Sequence, residues 1–364
     1  MVRPVSQTMS LRFLAIAALG AATVAVAPTS NVVAPQSAGA AACAMTVFPR
    51  YGTYAPTAKL HGPGLVLAGG GAEDSPPSVF PWMHRTIAGS DGGRAGNVVV
   101  LRASSANEYD SFFYHEGRFA SVQTLLIPSC APSADLARAA RIVDGADAVF
   151  FAGGDQAHYV AWKGSPLIDA VKRVYGRGGV VGGGSAGLAI QGAVVFDSVA
   201  GDRFNANVHS ADAIADPFEP RISFTTGLFA WPALRDTMTD THFAIRNRFG
   251  RAVVFLARIA HDRLLPGASA LYALGIDQAS TVVVAPDGTA TVLNAAGGRG
   301  AYLIRAPAAA AIAPQRPFRY TVTVSHVGRN FETFDLAAKR TSEPWLTVVV
   351  HAGAMPYSRN PYDL

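Results

Sequence analysis

Residues Val180–Gly192 read VVGGGSAGLAIQG, and their interpretation decides the fold. A short apolar run ends in glycines, a serine follows, and the residues beyond it suit the start of a helix. In a GxSxG elbow, here Gly183 to Gly187, the serine lies on a sharp turn that exposes its Oγ, and the glycines let neighbouring backbone pass. The helix after it points N-terminal amides at any oxyanion formed there. The pattern predicts Ser185 as a nucleophile; a glycine turn between buried elements is the plainer alternative, since short patterns recur by chance.

Other stretches bear on that choice. Ala148–Phe151 (AVFF) is a second apolar run that ends at once in Ala152, Gly153, Gly154, Asp155 and Gln156. Ligands bind at the carboxyl ends of strands in open parallel sheets, so two such turns can meet at one crevice. The amides of Gly154 and Ala186 are the expected oxyanion donors. Downstream, DTHFAIRNRFGR places His242 after Asp240 and Thr241, with Arg246, Arg248 and Arg251 close behind. An imidazole titrates near neutrality and can take the Ser185 proton. Guanidinium groups bind carboxylates bidentately, which suits an acidic or carboxylate-terminated substrate. Arginine is common here, 26 of the 30 basic residues, so a solvated basic face is the alternative for that run.

The apolar runs Leu65–Ala68, Val98–Leu101, Thr124–Ile127, Ala148–Phe151 and Gly179–Val181 lack polar alternation and read as buried parallel strands. Ser165–Pro166 starts a helix whose apolar positions repeat through Tyr175 to Gly176, and Ala134–Val143 carries a similar stripe. Strand and helix alternation predicts an α/β fold with a doubly wound, mostly parallel sheet. From Tyr302 onward, Tyr320–Val324 and Leu346–Val350 read as strands after a linker at Ala306–Pro314. The expected division is residues 1–42 as signal peptide and linker, 43–300 as the α/β domain, and 301–364 as a small β-rich C-terminal extension of unreadable role. The turn Gly69–Asp74 lacks the GK[ST] ending of a phosphate loop and reads as backbone packing at the rim of the site. Asp197–Pro220, polar and interrupted by proline, reads as a loop over the pocket.

The order GGDQ, GGSAG, DxHFxxRxRxGR and then Gly275-Ile276-Asp277-Gln278 resembles the cyanophycinase and aspartyl dipeptidase family of serine peptidases, across roughly residues 64–294. The resemblance implies a flavodoxin-like or class I glutamine-amidotransferase-like fold, with Ser185 as nucleophile and His242 as base. In the cyanophycinase branch it implies cleavage of a polyaspartate backbone carrying arginine on each β-carboxylate, releasing β-aspartyl-arginine. Pocket positions of that branch fall on Gln156, Asp240, His242, Arg246, Arg248 and Arg251. Aspartyl dipeptidases lack the arginine-rich run in this form. Two positions depart from the pattern: Thr241 stands where the branch has Gln, and Gln278 where it commonly has Glu. A neutral amide holds a histidine tautomer but supplies no charge. Gln278, Asp240, Asp277 and Asp155 all stay open as the orienting group. Three functions remain: cyanophycin hydrolysis, exopeptidase action on short aspartyl or isoaspartyl peptides, and ligand binding on a catalytically weak scaffold.

Composition sets outer bounds. The 364 residues are 50% hydrophobic and 15% charged, which suits one large globular domain. Arg3 and Arg12, the apolar stretch Phe13–Ala27 and small residues through Ala42 have the parts of a secretory signal peptide, with cleavage expected among Ala38–Ala44. No later segment reaches about 18 unbroken apolar residues, so no membrane span is expected. Cys43 follows two alanines as in a lipoprotein site, but Ala40 stands where leucine belongs, so lipidation is disfavoured. If Cys43 is retained, it and Cys130 can form one disulfide in an oxidising compartment. No HExxH or CxxC occurs, so neither a metal nor a cofactor is expected. Net charge is +5, but no lysine-rich segment with interleaved aromatics occurs, and nucleic acid is not expected as a partner. A homodimer stays open.

Overall fold

Strands buried on both faces lose polar alternation, and the five apolar runs accordingly become Gly64–Ala68, Asn97–Arg102, Ser121–Leu126, Ala148–Phe151 and Val180–Gly184. The computed structural model describes residues 43–57, 59–71, 78–90, 92–104, 109–199 and 207–363, all within the unit Ala38–Leu364. The expected signal peptide, residues 1–42, lies outside the described residues, as do 72–74 of the Gly69–Asp74 turn and 200–206 of the expected pocket loop.

The five strands pair in parallel in the order 121–126, 97–102, 148–151, 180–184, 64–68. Leu65, Leu67, Val99, Leu101, Val149 and Phe151 face one core with helices Ser133–Asp144 and Pro166–Gly176. Val66, Val98, Val100 and Phe150 face another with helices Val79–Ala88 and Asp110–Glu116. Both faces are therefore covered by helices, and the sheet is doubly wound. Beyond Gly64–Ala68 it continues antiparallel through Ser280–Val284, Thr289–Asn294 and Thr333–Asp335. The strand read at Thr124–Ile127 begins earlier, at Ser121, because its polar residues are satisfied: Ser121 Oγ donates to Asn97 Oδ1 at 2.8 Å and Gln123 Nε2 to the Phe48 carbonyl at 3.1 Å.

A second sheet runs in the order Leu346–His351, Arg319–Val327, Ala301–Pro307, Ala270–Ile276, Thr237–Asp240, Val194–Phe196, Phe224–Thr226. Only its 194–196, 237–240 and 270–276 strands are mutually parallel. Of the strands from residue 301 on, Ala301–Pro307, Arg319–Val327 and Leu346–His351 extend this sheet while Thr333–Asp335 joins the first, and the alternate residues Val322, Val324, Val348 and Val350 pack in one core with helix Phe249–His261. Cys43 and Cys130 form a disulfide, Cα–Cα 5.2 Å, and the Cys43 Sγ is thereby occupied. Among the described residues no helix is long and apolar enough to cross a membrane.

Candidate active site

Parallel register brings three turns together at the carboxyl ends of neighbouring strands in the first sheet. Ala68 pairs with Gly184 and Phe151 with Gly183, so the turns after strands 64–68, 148–151 and 180–184 end at one level. Ser185 occupies the middle turn with φ 51° and ψ −110°, an unfavourable conformation for a residue with a Cβ. Its amide donates to the Ala68 carbonyl at 3.0 Å, which holds the elbow against its neighbour. A Cβ on Gly183 or Gly187 would lie 2.4 or 2.1 Å from the Phe151 carbonyl oxygen. Those glycines are thus required by close backbone approach, the reason the motif needs them.

The second sheet supplies the partners. Asp240 pairs with Gly275 in parallel register, so the residues after both strands emerge together. His242, at φ 45°, is tied to the first sheet by its amide, which donates to the Gly69 carbonyl at 2.8 Å. Its Nε2 lies 2.8 Å from Ser185 Oγ and its Nδ1 3.1 Å from Gln278 Oε1. An amide oxygen only accepts, so Nδ1 carries the proton and Nε2 presents its lone pair to the serine. The other three candidate orienting groups are engaged elsewhere. Asp277 Oδ1 accepts the Ala244 and Ile245 amides, each at 3.0 Å, and shapes the turn after His242. Asp155 caps the short helix Gln156–Val160 through the Ala157 amide at 3.0 Å, and Asp240 is paired with arginines.

The glycine turn after strand 64–68 closes over this constellation. A Cβ on Gly70, which has φ 100°, would stand 2.5 Å from the His242 ring and 3.0 Å from Ser185 Cβ. One on Gly71 would stand 2.8 Å from Gln278 Cγ. The turn read as rim packing therefore lies directly against all three side chains.

A cavity of about 120 Å³ opens at Ser185, walled by Gly154, Gln156, Ala186, Arg246 and Arg248 among others. Ala186 begins the helix Ala186–Ala189, so its N–H has no partner within that helix. Gly154, at φ 140°, turns its exposed backbone along the same wall. Gln156 Nε2 donates to the Phe196 carbonyl at 3.2 Å. Asp240 takes Arg251 on both oxygens, Nε at 2.8 Å and Nη2 at 2.5 Å, and Arg248 Nη1 at 3.3 Å. Arg251 spends its remaining Nη1 on the Val208 carbonyl at 3.1 Å and Asn207 Oδ1 at 3.3 Å, so its donors are used inside the protein. Arg248 Nη1 also reaches the Thr241 carbonyl at 2.9 Å and Oγ1 at 2.8 Å. The exposed Arg246 side chain has no hydrogen-bond partner among the described residues.

The cavity wall thus carries three guanidinium groups and one carboxylate, Asp240, which pairs with two of them, and the site is electropositive. Burial alone would raise the Asp240 carboxyl, but Arg251 and Arg248 hold it below the usual carboxylate range. Burial, and then the Arg251 charge, lowers Arg248 to about 9. Burial, and then Arg246, lowers His242 to about 4 against the opposing pull of the Gln278 bond. His242 is therefore neutral at pH 7, the form that accepts a proton. Sequence reading missed Thr241 as a second acceptor for Arg248 and Asn207 as a clamp on Arg251; the i to i+7 relation of Thr241 and Arg248 across an irregular turn leaves no periodic signal.

No protein-family model matches the chain, and no curated protein matches it. Solved structures similar to it include a peptidase from an acI-B1 Actinobacterium, 16% identical, covering 79% of this chain and 96% of that one with a TM-score of 0.44. A candidate peptidase E protein from Listeria monocytogenes EGD-e is 12% identical, covers 65% of this chain and 100% of that one, and has a TM-score of 0.39. The α/β fold is read from the strand order and helical crossovers themselves.

Proposed function

We propose that the protein is a secreted serine peptidase of the cyanophycinase kind. The observation that carries this reading is the continuous chain Ser185 Oγ to His242 Nε2 and His242 Nδ1 to Gln278 Oε1, 2.8 and 3.1 Å, opening on a cavity lined by arginine. Ser185 Oγ attacks the scissile carbonyl as His242 Nε2 takes its proton. The tetrahedral oxyanion is stabilised by the Gly154 and Ala186 amides. His242 then protonates the leaving amine, and water, deprotonated by the same nitrogen, releases the acyl group from Ser185. Gln278 holds the tautomer throughout without supplying charge. Arg246 and the Arg248 nitrogens without a partner among the described residues receive substrate carboxylate; Asp240 and Thr241 hold Arg248 in place. The Cys43–Cys130 bond supports an oxidising compartment, as secretion requires.

The preferred substrate is cyanophycin, cut to β-aspartyl-arginine. The cavity, at about 120 Å³, also favours a second reading in which short aspartyl or isoaspartyl peptides enter whole. Incubation with insoluble cyanophycin and with β-aspartyl dipeptides, read by mass spectrometry against Ser185→Ala, separates the two. Serine-dependent release of β-aspartyl-arginine from the polymer supports the first, and cleavage of dipeptides alone supports the second. No hydrolysis and no phosphonate labelling of Ser185 would leave only a binding protein.

A further inference from the structure

The turn carrying Arg246 and Arg248 is held from behind by the end of the chain. After strand Leu346–His351 the backbone folds back on it: the His351 amide donates to the Pro356 carbonyl and the Ser358 amide to the Val349 carbonyl, each at 3.0 Å. This return delivers Tyr357 and Tyr362 to Asn247, the residue between the two arginines. Tyr362 Oη accepts the Phe249 amide at 2.8 Å and donates to Asn247 Oδ1 at 3.0 Å. Tyr357 Oη donates to the same oxygen at 3.4 Å. Asn247 sits at φ 48°, a conformation Asn tolerates, and its carbonyl accepts the Ser210 hydroxyl. The Tyr362 ring packs edge-on against Phe243, Phe249 and Tyr302, with centroids 6.3, 6.4 and 5.8 Å apart. None of Asn247, Tyr357 and Tyr362 lines the cavity.

We propose that this C-terminal clasp is a positioning device for substrate recognition. Tyr357 and Tyr362 fix Asn247, and so fix how Arg246 and Arg248 present charge to the substrate, without touching it. The functional part of this inference rests on the peptidase reading above; the mechanical part does not. Loss of the clasp frees the turn, so the anionic substrate binds less well while Ser185, His242 and Gln278, held by other bonds, keep their chemistry.

The clasp can be cut from either end. Tyr357→Phe/Tyr362→Phe removes both hydroxyls and keeps both rings, whereas Asn247→Gly removes the acceptor and tolerates the same φ. With an acidic peptide substrate, each is expected to raise KM about three- to thirtyfold, the scale of one or two hydrogen bonds, with kcat within about twofold. Combining them is expected to fall well short of the product of the two effects, because both cut the bonds to Asn247 Oδ1 and only the bond to the Phe249 amide is lost with the tyrosine hydroxyls alone. An uncharged phosphonate should label Ser185 at the wild-type rate in all of them. Hydrogen exchange needs no substrate: amides of residues 244–249 should exchange about tenfold faster in either variant, with residues 180–190 as protected as in wild type. If the peptidase reading fails, the wild type hydrolyses nothing and the exchange result still decides the clasp. Unchanged exchange at 244–249, additive KM effects, or a fall in kcat at constant KM would overturn the proposal.

Discussion

Replacing Gln278 by Glu converts the neutral orienting group into a charged one at a known distance. Gln278 Oε1 lies 3.1 Å from His242 Nδ1, so the new carboxylate would face the imidazolium with charge centres about 4 Å apart. At an effective dielectric near 20 that attraction is about 4 kcal/mol, or about three pKa units at 1.36 kcal/mol each. Gln278 is half-buried and Arg246 pulls the other way, so a rise of about one to three units is the working figure. His242 starts at about 4. Protonated His242 cannot take the Ser185 proton, so reactivity is lost as pH falls through its pKa. The pH dependence of Ser185 phosphonylation, with circular dichroism confirming the fold at each point, reads this directly. Wild type should stay reactive until pH approaches about 4, and Gln278→Glu should lose reactivity roughly one to three units higher. Coincident acid limbs, or a wild-type limb at the ordinary histidine value, would refute the reasoning.

Asp240→Asn leaves Arg248 and Arg251 buried without their counter-ion and should destabilise the fold by about 3–5 kcal/mol, read as a large drop in thermal midpoint. The sign with pH is fixed: the Asp240 carboxyl is depressed, so its contribution is present above the ordinary Asp value and fades as pH falls through the lowered one. Gly70→Ala puts a Cβ 2.5 Å from the His242 ring at φ 100° and should cut Ser185 reactivity about a hundredfold in a protein that still melts cooperatively. Reducing or mutating the Cys43–Cys130 bridge, which spans 87 residues, should cost about 2–5 kcal/mol in denaturant unfolding.

The first sheet was legible because its strands are fully buried and bounded by glycine turns, so apolar runs alone locate Leu65–Ala68 and Ala148–Phe151. The second sheet was not, because Thr237–Asp240 is four residues, TMTD, with no apolar run, and its burial comes from parallel neighbours distant in sequence. From residue 301 on, alternation showed strands but not the sheet they join, which is set by pairing of Ala301–Pro307 with Ala270–Ile276. Spacing of two and three residues gave Arg246, Arg248 and Arg251 no common helical face. In the structure Arg248 precedes the helix that begins at Phe249 and Arg251 lies in its first turn, so Asp240 reaches both and leaves Arg246 exposed. The tyrosines at the chain end carried no periodic signal, and only the tertiary fold brings them to Asn247.

Mapping a fluorophosphonate adduct by mass spectrometry on the intact protein tests the central claim, that Ser185 is a nucleophile activated by His242 and Gln278. A single adduct on Ser185, lost in His242→Ala, is the predicted result. No adduct between about pH 5 and 9, where His242 is neutral, or an adduct on a different serine, would contradict it.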